Sequence, residues 1–376
     1  MANIGIICEY NPFHNGHLYH LEKIKEKDPS STIILVLGTS FSQRGEISIL
    51  NKWEKTEIAL HYGVDLVIEL PFIFATQSAD FFAKGAIEIL NHLKCEEIIF
   101  GSESNNIEDI KTLITASENI EYEKIVKEYL NDGLNYPTAL SLALKKLTNK
   151  TVETPNDILA FSYLKQIKKI NSNIKASSIK RTNNYHEKEL TEKIASATAI
   201  RENLKENNDI SDFIPEKTQE ILKRNQRNYE EKYFELLKYK LLSEEDISKY
   251  QTVEEGLENK ILKEIKSSNS LEELIKKVKT KRYTYNKIKR MLTHILCSLT
   301  KEEAKIEHVT YLKVLGFSNK GQEYLNKIKK EVKIPIITKI KKEHYNLLKI
   351  DLRVTDIYNL ITNSNNTDNK IIKKSK

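Results

Sequence analysis

Two histidines three residues apart, His14 and His17, stand in the run Ile7-Cys8-Glu9-Tyr10-Asn11-Pro12-Phe13-His14-Asn15-Gly16-His17-Leu18, with His20 close behind. On the first turn of a helix, residues three apart face the same way. The unpaired N–H groups of such a terminus favour an anion, and phosphate is the usual one. Imidazoles beside a phosphate can donate hydrogen bonds to charge that develops on it during a displacement. No protein-held metal is expected, because no Cys pair accompanies these two imidazoles. A second stretch suits the same anion: Ser196-Ala197-Thr198-Ala199-Ile200-Arg201 sets small hydroxyl residues at a loop-to-helix junction, with a cation one turn in. Taken alone, the second stretch reads as an ordinary capped helix, whereas the strand, the Asn-Pro turn and Gly16 around the histidines already favour a nucleotide site. Together they predict a polyphosphate held between two helix N-termini.

The elements that must position these groups are legible around them. The apolar run at 3–8 predicts a strand, Asn11-Pro12 a turn, and Asn15 a cap for a helix over 15–27 that Asp28-Pro29 stops. Gly16 removes a side chain where something must approach the backbone. Thr32-Ile33-Ile34-Leu35-Val36-Leu37-Gly38 is a continuous apolar run, the pattern of a parallel strand buried on both faces. The loop that follows puts Gln43, Arg44 and Glu46 at the carboxyl end of that strand, where open α/β sheets bind ligands. Further strands are expected over 65–71 and 97–100, the latter ending at Gly101, where a base or ribose can lie on the backbone. Residues 107–148 read as a polar helical insertion with little chemistry of its own. Thr154-Pro155-Asn156-Asp157 opens another helix, with Thr154 as cap and Asp157 as capping-box partner, and a fifth strand over 175–181 ends at Arg181. No Walker-type loop and no Gly-x-Gly-x-x-Gly occurs. The expected fold is α/β: a Rossmann-like parallel-sheet domain over 1–208, then a mainly helical domain over 209–376 whose tail after about residue 362 lacks order.

Composition narrows the class of protein. With 376 residues, 39% hydrophobic and 30% charged, the chain is long enough for two cores and is not intrinsically disordered. Three scattered cysteines, Cys8, Cys95 and Cys297, exclude a disulfide framework and suggest a reducing compartment. No run approaches the roughly 18 apolar residues of a membrane span, and the first residues enter a strand directly, so a soluble cytoplasmic protein is expected. The net charge of +7 is unevenly spread: residues 270–376 hold 25 Lys and Arg against 11 Asp and Glu, or +14, leaving −7 for the rest. Within that basic third, Lys281, Arg282, Tyr283, Lys287, Lys289 and Arg290 mix cations with a tyrosine. Cations neutralise phosphates and tyrosines stack on unpaired bases, which points to RNA. A compositional excess of Lys, which merely keeps helices solvated, is the competing reading.

His14-Asn15-Gly16-His17 resembles the HIGH signature of the nucleotidyltransferase superfamily, and Ser196–Arg201 its later Ser-Thr-x-x-Ile-Arg-type partner. The likeness continues through Gln43-Arg44-Gly45-Glu46, residues 63–72, Phe100-Gly101-Ser102-Glu103 and Thr280-Lys281-Arg282-Tyr283. Over nearly the whole chain these stretches resemble the bacterial tRNA(Met) cytidine acetate ligase family. That resemblance implies a two-step reaction. Acetate attacks the α-phosphate of ATP, with Mg²⁺, to give acetyl-adenylate and pyrophosphate; the acetyl group then passes to the wobble cytidine of elongator tRNA(Met), giving N4-acetylcytidine. It also implies that residues 7–20 hold ATP, that His14, His17 and Arg201 serve the chemistry, and that Gly101, Asn156, Arg181 and Ser196 complete the nucleotide site. No obligate protein partner is implied. One departure is visible: Thr182-Asn183-Asn184 stands between Arg181 and Tyr185-His186, where the family pattern leads one to expect small residues, glycine among them. Two other functions fit parts of the sequence. An adenylyltransferase acting on a small phosphorylated acceptor would need no basic rear third, and a non-catalytic RNA-binding protein with a vestigial nucleotide fold would need no intact histidines.

Overall fold

A parallel sheet in the order β5-β4-β1-β2-β3 carries the site. The structure is a computed structural model, and it describes residues 2–181, 194–224, 229–254 and 256–374. Chain order runs β1 (Asn3–Cys8), α1 (Asn15–Lys27), β2 (Thr32–Leu37), α2 (Lys52–His61), β3 (Leu66–Glu69), α3 (Phe72–Ala75), α4 (Ala79–His92) and β4 (Glu97–Ser102). Then come α5 (Ile107–Ser117), α6 (Ile120–Asn131), α7 (Tyr136–Thr148), α8 (Pro155–Lys169), β5 (Lys175–Lys180) and α9 (Ala197–Lys205). The rear half holds α10 (Glu216–Lys223), α11 (Glu230–Ser243), α12 (Leu257–Glu264), α13 (Leu271–Val278), α14 (Tyr285–Leu296), β6 (Leu312–Phe317), α15 (Asn319–Ile328), β7 (Ile336–Ile337), α16 (Tyr345–Thr362) and β8 (Ile372–Lys373).

Every residue of β2 is buried, as its unbroken apolar run predicts, and alternate side chains serve two cores. Ile33, Leu35 and Leu37 pack on the face covered by α1 and α2, while Ile34 and Val36 pack against α4 on the other. Helices on both faces of a parallel sheet follow from that alternation. Because β2 and β3 extend the sheet on one side of β1 while β4 and β5 extend it on the other, the order reverses between β1 and β4. Open sheets of this kind bind ligands at that reversal, beyond the carboxyl ends of the strands.

The rear half departs from the helical expectation at one place. β6 joins the front sheet, antiparallel to β3, and β7 and β8 pair with β6. Lys313 is what disguises this strand: a cation amid Tyr311–Phe317 breaks the apolar run, yet it is buried because Glu69 and Asp368 neutralise it. Asp368 is also the partner of Lys52, at 2.5 Å, and Lys52 reaches Glu69 at 3.1 Å. The tail expected to lack order therefore docks through Lys374, tied by this buried charge cluster and by the β8 pairing. Its polar composition hides an acid whose partners are buried lysines distant in sequence. Among the described residues no helix is long and apolar enough to cross a membrane.

Candidate active site

A cavity of about 740 Å³ opens where the strand order reverses, lined from the front half by the β1–α1 loop and from the rear half by α14. His14, not Asn15, caps α1. Its Nδ1 accepts the N–H of Gly16 at 3.1 Å, and the Nδ1 of His17 accepts the N–H of His14 at 3.2 Å. An imidazole Nδ1 lies as many bonds from Cα as the side-chain oxygen of Asn, so it fills the same capping position. Asn15 instead donates its amide to the carbonyl of Asp212 at 2.8 Å. A Cβ on Gly16 would stand 2.9 Å from the His14 ring, so the glycine makes room for the cap itself.

With Nδ1 accepting on both rings, the proton of each neutral imidazole is assigned to Nε2. The rings stack with centroids 3.8 Å apart, and Tyr10 and Phe13 wedge against His17. Burial, then the nearby positive charges of Arg181 and Arg201, pushes His14 down to about 3. Burial and then its histidine neighbour hold His17 well below its ordinary value. Both are therefore neutral N–H donors at neutral pH.

α9 delivers the opposite wall. Ser196 caps it, its Oγ accepting the N–H of Ala199 at 3.1 Å, which leaves the hydroxyl proton to donate elsewhere. Arg201 donates to the carbonyl of Asn11 at 2.8 Å and to Glu46 at 2.7 Å; Lys289 of α14 donates to the other oxygen of Glu46 at 2.6 Å. Burial pushes the Glu46 carboxyl up, but those two cations outweigh it and hold it at about 2. Glu9 accepts the N–H of Gln43 at 2.5 Å and so pins the loop after β2 to the end of β1. Burial raises the Glu9 carboxyl. Beneath that loop Lys55, pushed down by burial, donates to the carbonyls of Gly38 and Thr39 and to Ser48.

On the β4–β5 side, Gly101 gives space to the Arg181 side chain: a Cβ there would meet Arg181 Cγ at 3.3 Å. Glu103 accepts from Asn156 at 2.6 Å and lies 3.8 Å from Arg181. Thr154 makes no capping hydrogen bond. Its hydroxyl donates to Asp157 at 2.9 Å, and Asp157 turns to the end of β4, accepting from Ser102 at 2.5 Å and from the N–H of Ser104 at 3.0 Å. The capping-box expectation for Asp157 is thus replaced by a strand-to-helix strut.

Of the sequence-derived candidates, Ile7, Cys8, Glu9, Tyr10, Asn11, His14, Gly16, His17, His20, Gln43, Arg44, Glu46, Gly101, Asn156, Arg181, Ser196 and Arg201 line the cavity. Pro12, Phe13, Asn15 and Leu18 lie behind that wall. Phe13 stacks on Tyr62 at 5.1 Å. The RNA candidates divide. Lys281 and Arg282 are exposed; Tyr283 and Lys287 both contact Glu254, at 2.8 and 2.5 Å; Lys289 is bound to Glu46; and Arg290 lines the cavity. Sequence reasoning missed Tyr136 and Thr138 of α7 and Thr284 and Asn286 at the start of α14, which also line it. The polar look of residues 107–148 held no signal for that role. Residues 182–186, which carry the departure from the family pattern, lie outside the described residues.

The HIGH Nucleotidyl Transferase family model matches residues 1–373. The tRNA(Met) cytidine acetate ligase of Anoxybacillus flavithermus is 40% identical over 378 residues, covering 95% of this chain and 94% of its own. That of Caldicellulosiruptor saccharolyticus is 42% identical over 378 residues, covering 96% and 94%. The crystal structure of Thermotoga maritima TmcAL bound with alpha-thio ATP superposes with a TM-score of 0.86 at 32% identity, covering 97% of this chain and 95% of that one. Its apo form gives a TM-score of 0.89. The fold that carries this cavity is thus shared, and the chain belongs to the tRNA(Met) cytidine acetate ligase family of HIGH nucleotidyl transferases.

Proposed function

We propose that this chain is an ATP-dependent tRNA ligase that activates acetate as acetyl-adenylate and acetylates the wobble cytidine of elongator tRNA(Met). The observation that carries the chemistry is the pair of neutral Nε2–H donors at the N-terminus of α1, facing Arg201 across the cavity. An acetate oxygen attacks the α-phosphorus, forming one P–O bond as the bond to the bridging oxygen of pyrophosphate breaks. The reaction needs no protein nucleophile, only positioning and stabilisation of charge. Cys8 lines the cavity, but burial pushes its thiol up to about 12 and so keeps it protonated. The exocyclic amine of cytidine then attacks the acetyl carbonyl; AMP departs and the amine loses a proton.

Mg²⁺ would enter on the phosphates of ATP, where it neutralises charge in transit to pyrophosphate. The donor set fits a metal carried by the nucleotide: the carboxylates in the walls are already engaged, Glu46 with Arg201 and Lys289, Glu9 with the N–H of Gln43 and Asp80 with Ser162. tRNA specificity rests on the names of the relatives. The stretch from exposed Lys281 and Arg282 to Thr284 and Asn286 in the cavity wall supports an RNA path leading to the reactive centre. The cytoplasm, where tRNA and ATP meet, is the compartment this reading requires.

The test is acetate-dependent exchange of labelled pyrophosphate into ATP by purified protein with Mg²⁺, followed by nucleoside analysis of tRNA(Met) incubated with ATP and acetate. Exchange together with N4-acetylcytidine supports the reading. Binding of ATP without exchange, with or without tRNA, overturns it.

A further inference from the structure

Arg290 is the one RNA candidate whose surroundings do not suit an RNA surface. It lies in the last third of the chain, on α14, yet it lines the cavity together with Ser42, Gln43 and Arg44 of the loop after β2. Its neighbour Lys289 is neutralised by Glu46, as is Arg201. The Arg290 side chain makes no hydrogen bond and no ion pair among the described residues. Burial, with the guanidinium of Arg44 adding to it, pushes Arg290 down to about 10, so it stays charged at neutral pH. A guanidinium kept half-buried beside a second one, with no carboxylate partner, is an arrangement that a bound anion stabilises.

The contact that sets Arg290 there is tight. Gly45, at φ +81°, lets the loop lie directly on α14: a Cβ would fall 2.6 Å from the backbone nitrogen of Arg290. The position within the sheet says which anion. In the function proposed above the base would lie over β4 and β5 beside Gly101 and Arg181, which pack together there, with the N-termini of α1 and α9 towards the phosphates. Ser42 to Glu46 belongs to the loop after β2, across β1 from β4. In-line displacement requires the nucleophile on the side of the α-phosphorus away from the leaving pyrophosphate. A small carboxylate held at the β2 end satisfies that requirement, and a planar guanidinium matches its two oxygens.

We propose that Arg290, together with Arg44, forms the subsite that holds the carboxylate of the acid to be activated, so that the rear half of the chain completes the acetate pocket. This rests on the acid-activating function proposed above.

The experiment is steady-state pyrophosphate exchange with acetate varied at saturating ATP, and ATP varied at saturating acetate, for the unaltered protein, Arg290→Ala and Arg290→Lys. Losing one charge-assisted pair should raise the KM for acetate about 10- to 100-fold in Arg290→Ala, with the KM for ATP changed less than about 2-fold. Arg290→Lys keeps the charge and loses the fork, and should raise the acetate KM about 3- to 10-fold. It carries the test if Arg290→Ala does not fold. An acetate KM within about 2-fold of normal in the folded variants overturns the proposal. A parallel rise in both KM values overturns it too, moving Arg290 to the phosphates, and so does a loss confined to tRNA acetylation, which moves it to the RNA. If the unaltered protein shows no acetate-dependent exchange, the functional reading fails first, and that result is separate from all of these.

Discussion

Neutral imidazoles with the proton on Nε2 are the form in which His14 and His17 would, in the function proposed, donate to a phosphate without competing for a solvent proton. The backbone enforces that form, since each Nδ1 is occupied by an N–H of the helix terminus. Replacing His17 by Ala removes one preorganised donor and should lower the rate of acetate activation about 10²- to 10³-fold in the exchange assay. A rate near normal would remove His17 from the mechanism. The same burial has a consequence for stability. His14, His17, His20 and His294 all titrate well below 6.5 in the fold, His20 and His294 at about 4, each primarily because burial disfavours the cation. Unfolded histidines take up protons as pH falls through 6.5 while the folded ones refuse them, so stability is lost in that window. Asp351 and Glu9, raised by burial, act in the opposite direction but are fewer. The free energy of unfolding in urea should therefore be lower at pH 5 than at pH 7; an equal or higher value at pH 5 would contradict the neutral histidines.

Helix starts were the most legible elements and also where residue-level roles shifted. The apolar periods locate α1, α8 and α9, because burial of one face sets their spacing whatever caps them. Which side chain caps is a different matter. Propensity favours Asn15, but a His one position earlier has an acceptor of the same reach and a ring that the cavity also uses. Asp157 likewise sits at a capping position, and tertiary partners at the end of β4 outcompete the local helix N–H. Spacing along one helix carries no information about Ser102 and Ser104, 55 and 53 residues away. Asp157→Ala would strand the buried hydroxyl of Ser102 and release the N–H of Ser104, and should cost about 1–3 kcal/mol in denaturant unfolding. It should also weaken ATP binding, because Glu103, which holds Asn156, leaves the same turn. A loss of stability near zero would return Asp157 to a simple helix-start role.

At the scale of the molecule, the front sheet was legible because its central strands are continuous apolar runs, whereas β6 and the docked tail were not, because their charges are satisfied by each other and by Glu69 and Lys52 of the other half, all distant in sequence. The cluster of Lys52, Glu69, Lys313 and Asp368 is meaningless in any one segment and becomes a clasp once the halves meet. That union also places the basic stretch at the mouth of the cavity, and it sorts the cations by what they can still reach. Lys287 and Lys289 are spent on Glu254 and Glu46, while Lys281 and Arg282 stand on the surface. Phosphate contacts contribute to affinity through release of counterions, about 0.7 to 0.9 of a salt-slope unit each. Replacing both Lys281 and Arg282 by Ala should therefore weaken tRNA binding and flatten the dependence of log K on log salt by about 1.4 to 1.8. Replacing Lys287 should change the slope by less, since its charge is already shared with Glu254. The comparison is made by filter binding across a salt series, with tRNA-free exchange measured alongside; equal slopes for all variants would place the RNA surface on another face of the molecule.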